Sequence, residues 1–374
     1  MFFSKPGLAA RKNKSLATRK LATSDPLGRS RRRRRNTTWL VSLCIALLVS
    51  MVMAVAMGPV TIAPGTVARI LGFHLAQINP GPHPDTTADA IVWGVRFPRI
   101  LLGAAVGSGL AMCGAALQAM VRNMLADPYL LGINSGASTG AAAMILFGVG
   151  LGMGEHALSV SAFAGALAAS LMVLLVARSA GRVTSLRLLL SGVAIGYALT
   201  AVTSFLIFAS GSAEGARSMM FWLLGSLSLA TWGSPLAVVA MVVFATGMVL
   251  TLWGRRLDAM AIGDETALVL GISPARFRTQ LLVVVSLCIG VVVAASGSIG
   301  FVGLVIPHLA RRIVGAAHVW VVPVSALLGA IFLVWADLLA RTLMQPQELP
   351  IGIITALVGA PFLLHLLRRM HPGS

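Results

Sequence analysis

The residues in this chain that could do chemistry are few and thinly spread. Inside its apolar stretches the clearest ionisable groups are Asp337 and Arg341, four positions apart and so on one face of a helix. An acid inside a helix is costly unless it is paired or faces a cavity. The two therefore read as an intrahelical ion pair, since a proton relay would need several carboxylates at mid-membrane depth. Cys44, Cys113 and Cys288 are isolated in apolar runs and spell neither a disulfide framework nor a C-x-x-C metal site. His308 follows Pro307, which bends a short helix that Arg311 and Arg312 close. No Lys follows Lys20, so the phosphate-cradling G-x-x-x-x-G-K-[ST] cannot occur beyond it, and H-E-x-x-H is also missing. No catalytic residue, metal site or cofactor is expected here, and any ATP chemistry has to sit on a partner.

The elements that hold these residues are set by composition. Of 374 residues 57% are hydrophobic and only 11% charged, against about 25% charged in a soluble domain. Such a chain cannot clothe a globule in polar side chains, so its outer surface must meet hydrocarbon. Apolar stretches near the length of a bilayer span lie at 38–57, 98–120, 128–150, 157–177, 186–209, 232–253, 279–299, 301–316, 319–343 and 350–367. The expected fold class is an all-α membrane protein of about ten transmembrane helices, residues 38–370, behind a basic tail, 1–37, expected to be disordered. The eighth stretch is short enough for a half-span, and 218–231 reads as a re-entrant or interfacial segment.

Charge orients the spans. Twelve of the 29 Lys and Arg lie in residues 1–35 against one acid, Asp25. With the N-terminus inside, ten spans place 24 of the 29 basic residues in the cytoplasm and leave only Arg69, Arg96, Arg99, Arg217 and Arg341 outside. Both termini are expected in the cytoplasm. The Arg31–Arg35 run is expected against anionic lipid head groups, not nucleic acid.

Four segments stand out: Val95-Arg96-Phe97-Pro98-Arg99 with its Gly-rich sequel; RNMLADPYLLGINS (122–135); AIGDETALVLGI (261–272); and GSIGFVGLVIPHLARR (297–312), followed by ADLLAR (336–341) and ELPIGIITALVGAPF (348–362). In this order they resemble the FecCD-type permease family of importers for ferric siderophores, haem and cobalamin. Met124 and Tyr129 depart from it, standing where the family usually has Pro and commonly Gly. The resemblance implies a type II ABC importer permease-like bundle in a bacterial cytoplasmic membrane. Its implied partners are an ATP-binding-cassette ATPase, an extracytoplasmic substrate-binding protein and a second permease copy or paralogue. It implies that Arg96, Arg99 and Arg341 dock the binding protein through its acids, because a guanidinium can grip a carboxylate bidentately. It makes Asp264, Glu265, Leu268, Leu270 and Gly271 part of a helical knob that couples to the ATPase, exposing Ala267 with Leu268 and Leu270. Asn134, Ser135, Gly136, Ser298 and Gly300 become candidates for the pathway. A ferric siderophore is the expected cargo, haem or cobalamin the alternatives, and His308 need not ligate a metal that travels inside its chelator. An ion-coupled secondary transporter is the rival class, with Asp337 as its thin support.

Overall fold

The computed structural model describes residues 29–76, 86–179 and 183–370, and among these every regular element is a helix. Fourteen helices carry the argument: α1 Arg29–Ala56, α2 Pro64–Ala76, α3 Phe97–Val121, α4 Ile133–Phe147, α5 Ala157–Ser179, α6 Ser185–Ala209, α7 Ala213–Leu223, α8 Ser234–Leu252, α9 Gly254–Ile262, α10 Asp264–Val269, α11 Pro274–Ser296, α12 Val302–Val314, α13 His318–Thr342 and α14 Ile351–Met370. Seven described helical runs are long and apolar enough to cross a membrane: α1, Thr86–Val121, α5, α6, α8, α11 and α13. With the shorter α4, α12 and α14, each of the ten expected stretches carries a helix.

Three features differ from expectation. The run Arg31–Arg35, expected within a disordered tail, forms the first turns of α1 with its side chains exposed. Arginine is a good helix former, so a basic run continuous with an apolar one can extend the same helix; residues 1–28 lie outside the described residues. The 218–231 segment is divided, its first part closing α7, whose start is capped by the Ser212 hydroxyl accepting from Gly215 N at 3.0 Å. Finally, α2 and the helical run Thr86–Arg96, part of it π-helical, precede α3 where no element was expected.

Helix α3 is the axis of the packing, buried along most of its length. Its small residues explain how. Lipid tails are as apolar as leucine, so helices gain little by merely hiding side chains and associate by close backbone approach. A Cβ on Gly107 would sit 2.1 Å from the carbonyl oxygen of Gly329 on α13, and one on Gly114 would sit 2.0 Å from that of Gly303 on α12. The outer surface is the reverse: Phe208 on α6 is 87% exposed and Phe244 on α8 is 74% exposed, as suits helices that face lipid.

The bundle has two distinct ends. At one, Asn36 Nδ2 near the start of α1 donates to Val314 O at the end of α12, 3.1 Å away. At the other, Arg96 Nη1 donates to Val55 O near the end of α1, 2.9 Å away. Replacing Gly107 by Val should force α3 and α13 apart and destabilise the protein by about 1–3 kcal/mol or more. Gly65→Ala on α2, with nothing within 4 Å of the new methyl, should leave stability unchanged. Thermal unfolding of both variants in detergent checks this pair.

Candidate functional site

The first site is an ion cluster at the end of the bundle away from Asn36. Asp337 on α13 sits between two guanidinium groups. Arg99 Nε and Nη2, at the start of α3, both lie 2.9 Å from Asp337 Oδ1, and Arg341 Nε lies 3.0 Å from Oδ2. Arg99 Nη1 also donates to Glu348 Oε2 at 2.9 Å. Arg96 takes a separate seat, donating to the carbonyls of Val55, Ala56 and Val60, with Gly58 leaving room for its guanidinium.

The expected intrahelical pair therefore exists, but as one edge of a larger network that joins α3, α13 and the stretch before α14. The three arginines were expected to be available at the surface, and here they are not. Arg96, Arg99 and Arg341 are 3%, 7% and 3% exposed. A carboxylate buried in a span needs opposite charge at contact distance, and it draws the nearest guanidinium groups inward. Of this cluster the carboxylate of Glu348, 42% exposed, is the part that faces out. Glu348 stood within a quoted segment, yet its role depends on a fold that brings it to Arg99 across 249 positions.

At the opposite end α9 and α10 form a two-helix knob turning at Gly263. Asp264 begins α10, where its charge favours the helix N-terminus, and its two carboxylate oxygens accept from Arg278 Nη2 and Nη1 at 2.6 and 3.1 Å. The hydrogen bonds from Arg278 hold the Asp264 carboxyl below the usual carboxylate range, against the opposing effect of burial, and the charges of Arg278 and Arg122 add to this. Gly271 closes α10 with φ 76°, in the left-handed region. Leu268 and Leu270 are 59% and 63% exposed, whereas Ala267, expected beside them, is fully buried. On a helix of only six residues successive positions point 100° apart, so Ala267 turns into the bundle as its neighbours turn out. Val269 and Ile262, which sequence reasoning passed over, are as exposed as the leucines or more so. Also unforeseen is the tie that fixes α9: Asp258 Oδ1 accepts from His318 N at 2.8 Å and lies 2.7 Å from His318 Nδ1.

Between the two ends lie the pathway candidates. Ser135 Oγ on α4 is 3.3 Å from Thr200 Oγ1 on α6, and Thr139 Oγ1 is 2.9 Å from Thr203 Oγ1. Asn134 sits one position before Ser135 and is partly exposed. Gly136 does not join this polar strip. It is buried against Gly165 of α5, where a Cβ would meet a carbonyl oxygen at 2.4 Å, so it serves helix packing. Ser298 and Gly300 lie in the break between α11 and α12, and a Cβ on Gly300 would meet nothing within 4 Å. His308 packs its ring edge-on to Phe362, centroids 6.1 Å apart.

Residues 46–369 match the FecCD transport family. The chain belongs to that family. It is 44% identical, over 75% of its length and 74% of the relative's, to a cobalamin import system permease protein of Halobacterium salinarum. It is 38% identical, over 75% of its length and 81% of the relative's, to an Fe(3+)-citrate import system permease protein of Bacillus subtilis. A solved ABC transporter described as of metal-chelate type, in an inward-facing conformation, superposes with a TM-score of 0.76 at 30% identity, covering 88% of this chain and 98% of that one. This FecCD protein is thus a multi-pass permease subunit of an ABC importer and is not itself catalytic. Its work is done with an ATPase, a binding protein and a permease dimer.

Asp337→Asn should leave Arg99 and Arg341 without their buried acid, a loss of about 3–5 kcal/mol. The expected readout is a large fall in unfolding temperature of the purified permease. Glu348→Gln, at a half-exposed position, should shift it little.

Proposed function

We propose that this FecCD permease carries an intact iron chelate of the ferric siderophore class. The observation that carries this reading is the match to the Fe(3+)-citrate permease over most of both chains. The polar strip of Asn134, Ser135, Thr139, Thr200 and Thr203 supports it, because neutral hydroxyl and amide groups can hydrogen-bond the periphery of a chelate without competing for its metal. The match to a cobalamin permease favours a second reading, in which the cargo is cobalamin. In both readings the metal travels inside an organic cage.

The coupling element is α9–α10 in this proposal. Exposed Leu268, Val269 and Leu270 form a compact apolar knob with Glu265 nearby, and Asp264 anchored to Arg278 keeps that knob rigid against the bundle. A rigid knob of this kind can sit in a groove of the ATPase and carry its motion into α11. The basic ends of the helices support cytoplasmic placement of this face, with Arg31–Arg35 at the start of α1 near anionic lipid. Arg96, Arg99 and Arg341 are then on the outer face, where the binding protein's acids would have to draw the arginines out of their present pairings, starting at Glu348. Either a second copy of the chain or a paralogue completes the dimer.

Uptake of labelled ferric siderophore, haem and cobalamin by a strain lacking other importers tests the cargo. The ferric siderophore should accumulate in a vanadate-sensitive manner, and accumulation of cobalamin alone would establish the second reading instead. For coupling, Leu270→Asp should place an unpaired charge in the ATPase contact and cost several kcal/mol there. The variant should insert normally, yet fail to co-purify with the ATPase and lose cargo-stimulated hydrolysis. Retention of the ATPase by Leu270→Asp would remove the knob from the coupling role.

A further inference from the structure

Two stretches of irregular backbone meet inside the bundle, and one side chain joins them. The first leaves the end of α3 at Arg122, whose φ of 57° turns the chain back on itself. It then runs beside α3 and α12: Gln118 Nε2 on α3 lies within reach of Ala126 O, Gly303 O and Leu304 O, at 3.5, 3.3 and 3.2 Å, and Pro128 packs on Gly303. Asp127 Oδ1 accepts from Tyr129 N at 2.8 Å and fixes the turn that aims the Tyr129 ring. The second stretch is the break between α11 and α12, from Gly297 at φ 66° to Phe301 at φ 69°. A non-glycine residue in the left-handed region is held there at some cost by its surroundings.

Backbone groups in such a break have no helical partner, and hydrocarbon supplies none. At its edge the ladder of α11 still holds Gly297 N, which donates to Val293 O, and Ser226 N donates to Ser296 O at the end of that helix, both at 2.8 Å. At Ile299, 1% exposed, both groups are met by one hydroxyl. Ile299 N donates to the Tyr129 phenol oxygen at 2.8 Å, and that phenol donates to Ile299 O at 2.8 Å. No other side chain bond is described for Ile299. Phenylalanine could fill the same space but could meet neither group.

The root of the first stretch abuts the knob. Arg122 Nη1 comes within 3.7 Å of the position a Cβ would take on Gly263, at the junction of α9 and α10. Arg122, the loop 123–132, the Tyr129 hydroxyl and Ile299 thus form a continuous physical link. It runs from the knob to the break that holds Ser298 and Gly300.

We propose that Tyr129 is a positioning residue, a clasp that holds the break between α11 and α12 in register with the loop rooted at the α9–α10 knob. The clasp would make the break move with the knob during transport. Tyr129 stands where the family resemblance leads one to expect Gly, which has no hydroxyl to make such a clasp. The hydrogen-bond clasp stands on geometry alone; only its role in transport rests on the reading of α9–α10 as the ATPase contact.

The test uses the permease assembled with its ATPase and compares Tyr129→Phe, Tyr129→Gly and Tyr197→Phe. Tyr197 is 76% exposed on α6 and serves as the control for removing a phenol hydroxyl. Hydrogen exchange, read by mass spectrometry on peptides spanning 297–304, should quicken about tenfold in both Tyr129 variants, as follows from losing a buried hydrogen bond. It should stay at the wild-type rate in Tyr197→Phe. In proteoliposomes with the binding protein, the labelled chelate that the wild type takes up should be transported less per ATP hydrolysed by Tyr129→Phe. A residue that merely supported the fold would lower uptake and hydrolysis in proportion, and that result overturns the positioning role. Unchanged exchange in both Tyr129 variants, or an equal change in Tyr197→Phe, overturns the clasp itself. Should Leu270→Asp keep its ATPase while Tyr129→Phe still quickens exchange, the clasp stands and the knob's assignment falls.

Discussion

At Gly107 and Gly329 two helices touch through their backbones, and most of what this protein can do is built outward from that contact. The approach of α13 to α3, repeated by α12 at Gly114 and Gly303, leaves no room for side chains between the axes. In water the hydrophobic effect would tolerate a looser seam. In lipid the attraction is van der Waals contact and polar bonds that decay with small separations. A close seam also carries Arg99, at the head of α3, within contact of Asp337 on α13. The ion cluster is thus a consequence of the helix seam as well as a brace on it.

The cluster shows how a buried charge constrains function. In its span Asp337 is met by Arg99 and Arg341, and Arg99 is met in turn by Glu348, so each buried group has an opposite one at contact distance. Net charge in the group of Arg96, Arg99, Arg341, Asp337 and Glu348 is +1, three positive against two negative. In the docking we propose, a partner's carboxylate would meet a site that is already nearly balanced, and binding would be an exchange of acids. Such an exchange gives specificity and regulation more readily than raw affinity.

The opposite end uses polar bonds differently. Asp264 to Arg278 and Asp258 to His318 fix short helices onto long ones, leaving Leu268, Val269 and Leu270 bare on a stiff base. Between the ends, several groups of the irregular backbone find hydrogen-bond partners. Gln118 and Tyr129 serve from side chains, and the Leu224–Gly225 carbonyls by accepting from Gly352 N and Ile351 N. Backbone groups met in this way are not left bare to lipid.

By itself the sequence determined what depends on local composition. Ten apolar stretches became ten helices because span length and the scarcity of charge leave no other structure in lipid. Gly263 and Gly271 marked the ends of the knob's second helix, because helix ends are written locally. The family motifs, read in order, pointed to an importer permease. Tertiary structure alone decided which face each residue takes and what lies opposite. Ala267 turned inward, Gly136 went to helix packing, and three arginines expected at the surface were drawn into the bundle. Arg99 and Glu348 are 249 positions apart, Tyr129 and Ile299 170. No periodicity or spacing encodes such pairings, because they arise from how helices cross, and that is settled by packing of the whole chain.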